Sequence, residues 1–352
     1  MLIRFLTKRF LLTIGVMFLG LLGIFASIYY FNPNDTSSDK VVFVDNTNYS
    51  DEIKQTQNTV TVGVYPLNVY KIDTASNTFQ MTAYVWMIWK GDDLQPNETF
   101  DIVNLVSTSS FTKTEIANQT LSDGREYYLM KIDGTFFKSF DMSDYPVDQQ
   151  QLTLTFEDSI DTSDDVIYVP DVANTKSDLL SIPGWELKQI VYTASDHAYQ
   201  SNLGFSDNNT DNNVTRLDFS IVINHPFLFY FMKFVFPLTL ILLANYIVFW
   251  MPYAFIETKI TVIGGTLLSI MFLQQLYNEK ISNQQIVLID YLYLFAYLST
   301  FLSIISKFYF YKKIESGWDE SEAAMWDKMI FLGHFVVYMV MVLGIFWKYL
   351  QN

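Results

Sequence analysis

The chain has 352 residues, half of them hydrophobic, a formal charge of −15 and no cysteine. The missing thiols exclude disulfides, zinc–thiolate centres and cysteine nucleophiles. Only three histidines are present, His197, His225 and His334, and no nucleophile, metal or cofactor motif accompanies them, so an enzyme has no support.

At the amino terminus, Arg4, Lys8 and Arg9 precede an apolar run from Phe10 to Phe31. A run of about 20 residues at 1.5 Å each is long enough for one bilayer crossing. Residues 1–31 are therefore either a cleaved signal peptide or an uncleaved anchor, with Ala26 and Ser27 the small residues near its end. In both cases the basic flank stays inside and the next domain is exported, extracellular or periplasmic.

Residues 32–224 form that domain. They hold 29 Asp and Glu against 11 Lys and Arg, a local net charge of −18. Such an excess raises the nearby cation concentration and disfavours nucleic acid as a partner. Solubility alone also accounts for it. Short β-rich runs broken by turn residues fill the segment: 59–72, 78–89, 125–132, 151–156, 166–170, 185–193 and 214–223. Asp73 to Asn77 reads as a hairpin gap, and Ser195 to Asn213 as a long polar loop between two strands. Alternation is clear where Leu152, Leu154 and Phe156 interleave with Thr153 and Thr155. The pattern predicts an antiparallel β-sandwich.

Residues 225–352 predict four transmembrane helices, at 227–250, 257–277, 286–309 and 326–349, joined by short connections. Pro237 interrupts the first, which neighbouring helices tolerate inside a membrane. Lys307, Lys312 and Lys313 at the end of the third place that end inside. Along the second, Glu257, Thr261, Gly265, Leu268, Phe272 and Gln275 recur at helical spacing and share one face. Polar groups inside a bilayer are costly unless they face protein or water, so this stripe suggests a pore or a buried interface.

An exported sandwich followed by four spans resembles the pentameric ligand-gated ion channels, the Cys-loop receptor superfamily. Four motifs carry the resemblance: Phe140 to Gln149 with Tyr145-Pro146-Val147-Asp148 at its centre, Trp89 to Leu94, Val235 to Leu240 around Pro237, and Glu257 to Thr261. Together they cover about residues 60 to 350. Lys138 and Leu152 stand where animal members carry cysteines, so the likeness is to the bacterial branch.

The resemblance implies a homopentamer, each chain joined by four identical subunits, in the plasma (inner) membrane and in contact with lipid. It implies a pore lined by Glu257, Thr261, Gly265, Leu268, Phe272, Gln275 and Glu279, permeable to monovalent cations. Five Glu257 carboxylates would select cations, and Leu268 and Phe272 would form apolar rings that gate by dewetting. Lys259 lies about 200° around the helix from Glu257 and should point away from the axis. Gly264 and Gly265 serve either bending or close helix packing. The resemblance also implies a coupling junction of Asp73, Tyr145, Pro146, Asp148, His225 and Lys280. His225 stands where the family carries arginine. It is either a group titrating near neutral pH or an uncharged loop histidine.

The family's agonist site lies between subunits, and Trp86, Trp89, Tyr199 and Phe205 are its aromatic candidates here. The acidic stretch Glu157 to Asp161 replaces an aromatic loop. The agonist class therefore stays open among a small molecule, protons and divalent cations. The alternative function is a membrane-anchored sensor or adhesion module without conduction, which has no need of the stripe.

Overall fold

A computed structural model describes residues 42–46, 49, 58–91, 94–173, 180, 182–201, 213–278 and 285–351. The apolar run before residue 32, and Phe205, Glu279 and Lys280, lie outside them. The chain divides into two compact units. One comprises Ser37–Asp141 with Gln149–His225, the other Pro226–Asn352 with Met142–Asp148.

The first unit is two five-stranded sheets. One has the order β1(Val42–Asp45), β9(Glu186–Ala198), β10(Asn213–Asn224), β7(Gln149–Asp158) and β4(Phe100–Ile102). The other has the order β5(Thr112–Thr120), β6(Glu126–Phe137), β3(Thr78–Trp89), β2(Thr59–Asp73) and β8(Ile167–Pro170). The inner faces come from strict alternation. In β3, Phe79, Met81, Val85, Met87 and Trp89 are buried, because successive side chains leave a strand on opposite faces. The sheets are tied across that core, where the Val64 amide donates to the Tyr192 hydroxyl at 3.0 Å.

The antiparallel expectation needs one correction. Two edge pairs, β1 with β9 and β2 with β8, run parallel. Both outer strands arrive through long connections rather than hairpins, and only a hairpin forces the antiparallel sense. The polar loop expected from Ser195 is also shorter, since Ser195 to Ala198 continue β9 and pair with Asn213 to Arg216.

The second unit contains four helices long and apolar enough to cross a membrane: α1(Phe227–Trp250), α2(Ile256–Asn278), α3(Leu288–Glu315) and α4(Glu320–Gln351). Pro237 does not break α1. Its ring would clash with the carbonyl four residues back, and a π turn at Phe231–Val235 opens the ladder there. The Thr239 hydroxyl then bonds the Val235 carbonyl at 2.7 Å and also meets the Tyr338 hydroxyl of α4 at 2.6 Å.

The third and fourth helices are longer than the apolar runs that predict them. The connection between them shrinks to four residues, 316–319. Packing extends them: Phe310 of α3, Ala323 of α4 and Tyr253 form one buried cluster, with Ile314 and Trp318 against it. Gly317, at φ +96°, supplies the left-handed residue that ends α3, and the Trp318 amide closes back on the Lys313 carbonyl at 3.0 Å.

Candidate pore helix and binding residues

Helix α2 has two different faces. At 100° per residue, Glu257, Thr261, Gly265, Leu268, Phe272 and Gln275 fall in an arc of about 80°. All six are exposed on the single chain, Leu268 by 56% and Phe272 by 68%. Lys259, Ile263, Thr266 and Ile270 fall on the opposite side and are buried against the rest of the unit. The Thr261 hydroxyl donates to the Glu257 carbonyl at 2.8 Å, so its hydrogen is already satisfied along the helix. A Cβ at Gly264 or Gly265 would meet nothing within 4 Å, so close packing inside one chain does not require these glycines.

The segment Met142–Asp148 connects β6 and β7 yet groups with the helices. Tyr145, Pro146, Val147 and Asp148 are buried. The Tyr145 ring meets the Tyr230 ring of α1 edge-on, centroids 5.4 Å apart. The Leu288 amide at the start of α3 donates to the Ser143 carbonyl at 2.9 Å. Near the end of α4, Lys348 makes an ion pair with Asp144. The loop is thus attached to three of the four helices. Burial pushes the Tyr145 phenol up, so it stays protonated.

Asp73 and His225 belong to the β unit. Asp73 shapes its own hairpin, accepting from the Ala75 and Ser76 amides at 3.1 Å each. Those amides, Ser76 first, hold its carboxyl below the ordinary range. His225 stacks on Trp185, ring centroids 3.8 Å apart, and burial pushes its imidazole down to about 3. Of the two readings of His225, burial favours the uncharged histidine: a ring kept from water loses the solvation that stabilises its charged form.

Among the described residues, the aromatic candidates Trp86, Trp89 and Tyr199 do not form one group. Trp86 and Trp89 are three residues apart on β3 and so leave it on opposite faces. Trp89 is buried in the sandwich core, 6% exposed. Trp86 is half-buried, lies against Gly63 on the paired strand, and donates to Asp171 at 2.9 Å. Tyr199 belongs to a polar cluster that the sequence reading missed. Its hydroxyl donates to Glu157 at 2.6 Å, and its ring meets His197 edge-on at 4.9 Å. Arg216 pairs with the other Glu157 oxygen. Asp218, two residues along β10, accepts from Thr155 at 2.7 Å, and burial raises its carboxyl. The available signal was alternation: Arg216 and Asp218 are the two charged residues of β10, spaced by two.

No family model matches the chain. It is 22% identical over 228 residues to a proton-gated ion channel of Gloeobacter violaceus, a match covering 60% of this chain and 61% of that protein. The match therefore spans about three fifths of the length of the relative. With four membrane-length helices beside two packed sheets, this distant homology supports the resemblance to pentameric ligand-gated channels and a multi-pass membrane protein.

Proposed function

We propose that five copies of this chain form a ligand- or proton-gated, cation-selective channel in the plasma membrane, the β unit extracellular or periplasmic. The observation that carries this reading is the two-faced helix α2. One face is packed and the other leaves a polar and apolar stripe uncovered within the chain. Five such stripes around an axis give a Glu257 carboxylate ring at one end and Leu268 and Phe272 rings midway. Gln275 and Glu279 then stand toward the outer mouth. The relative named above is a proton-gated ion channel, which supports the same reading. A sensor whose spans only anchor it has no use for such a face.

In this reading the Met142–Asp148 loop, with Asp73, His225 and Lys280, couples agonist binding to the pore. Tyr199, Trp86 and Phe205 belong to the agonist site, with Glu157 and Arg216 beside Tyr199. Trp89, inside the core, supports that site from behind.

The test is planar-bilayer or oocyte recording with ion substitution while pH and divalent cations are varied. The expected result is a current whose reversal potential follows the monovalent cation and loses that dependence in Glu257→Gln. A reversal potential that follows chloride overturns the role of Glu257. Absence of current under every condition, with protein at the surface, favours the sensor.

A further inference from the structure

Three ionisable side chains are sealed inside the helical unit. Lys259 of α2, Lys307 of α3 and Asp327 of α4 expose 0%, 0% and 1% of their side chains. Lys307 Nζ donates to Asp327 Oδ1 at 2.5 Å, and Lys259 Nζ lies 3.6 Å from Asp327 Oδ2. The Tyr253 hydroxyl, just before α2, donates to the same Oδ2 at 2.8 Å. Two formal cations thus share one carboxylate. Aromatic faces supply the remaining compensation: Lys259 Nζ lies 3.7 Å from the Tyr253 ring centroid and Lys307 Nζ 3.6 Å from that of Phe249. The Tyr253 backbone amide is held in turn by Glu320 of α4 at 2.8 Å.

Lys259 is two residues from Glu257 and about 200° around the helix. A turn of α2 by one residue, about 100°, would carry its ammonium away from Asp327 and strand a cation in an apolar interior. The network therefore opposes rotation at the end of α2 that carries Glu257.

We propose that Asp327 is the positioning residue for the Glu257 face. Helix α4 contributes nothing to the stripe, yet through the Lys259–Asp327–Lys307 network it sets the rotation of the inner turns of α2 and so the ion discrimination of the channel. This rests on the reading of α2 as the pore helix.

The chain has no cysteine, so one introduced thiol is a clean probe. Full-length protein carrying Thr261→Cys, on the stripe, or Val262→Cys, beside it, is reconstituted in phosphatidylcholine vesicles and treated with a charged methanethiosulfonate from water. With the network intact, Thr261→Cys should react several-fold faster than Val262→Cys, because Thr261 is exposed and Val262 is half-buried. Asp327→Glu should preserve that ratio. Asp327→Asn strands two cations and is prone to misfold. The decisive background is therefore the apolar triple Lys259→Met, Asp327→Leu and Lys307→Met, which buries similar volume without charge. There the ratio should fall toward one, and the cation-to-anion permeability ratio should fall with it. An unchanged labelling ratio in the folded triple variant overturns the proposal and leaves the network a packing feature. If Thr261→Cys is no faster than Val262→Cys with the network intact, the pore reading fails instead, and this inference with it.

Discussion

The two units treat charge in opposite ways. The β unit carries most of the acids and leaves most of them in reach of water or of backbone amides, as with Asp73 in its hairpin, while Glu157 and Asp171 are buried on side-chain partners. Its best-formed ion pair, Glu157 with Arg216, leaves the arginine side chain 26% exposed. The helical unit holds few charges, and its Lys259–Asp327–Lys307 network is sealed. The difference follows from the solvent. Beside water a half-made ion pair is completed by hydration, whereas among apolar helices the network must close on itself, here with aromatic faces as its last members.

The largest effect should come from breaking the sealed network. Asp327→Asn should cost roughly 3–5 kcal/mol, read as loss of thermal stability of the purified protein, because it leaves buried cations without their carboxylate. A cost below about 1 kcal/mol would mean that water reaches the network, and the contrast between the units would collapse.

His225 brings the burial logic into the β unit. Its folded pKa is about 3, below the ordinary value of 6.5, so the folded state resists protonation. The unfolded chain binds this proton first as pH falls. Stability is therefore lost progressively below pH 6.5, by about 3 kcal/mol at about pH 4. His225→Gln should flatten that part of the curve, measured as the difference in melting temperature between neutral and acid buffer. An unchanged acid limb would show that His225 is hydrated in solution.

A smaller effect is expected where only one partner is sealed, Glu157 at 5% exposure against 26% for Arg216. Glu157→Gln should cost roughly 1–2 kcal/mol, since Arg216 regains water when its partner is neutralised. Chemical denaturation of the full chain checks this. A cost matching that of Asp327→Asn would mean that the Glu157 cluster is as sealed as the helical one.

Much of the architecture was legible in the chain itself. Period-two runs marked seven of the ten strands among the described residues, and period 3.6 put the six stripe residues on one arc, because both depend only on local backbone geometry. The same rule separates Trp86 from Trp89, which the family likeness alone places together. The short strands β1 and β4 and the almost wholly exposed β5 carried no such signal, since an edge strand needs no apolar face. The ends of α3 and α4 also escaped. Lys312, Lys313, Glu315 and Glu320 interrupt the hydropathy while the Phe310, Ala323 and Tyr253 cluster keeps the helices going.

The sequence by itself determined the order of the elements and the angular position of Glu257 relative to Lys259, because a helix sets the angle between residues two apart whatever surrounds it. Only the tertiary structure decided what Lys259 meets. Asp327 lies 68 positions further along the chain and reads there as one more acid near a helix start. Its meaning came from packing: α2, α3 and α4 bring three ionisable groups into one sealed interior, and each then requires the others.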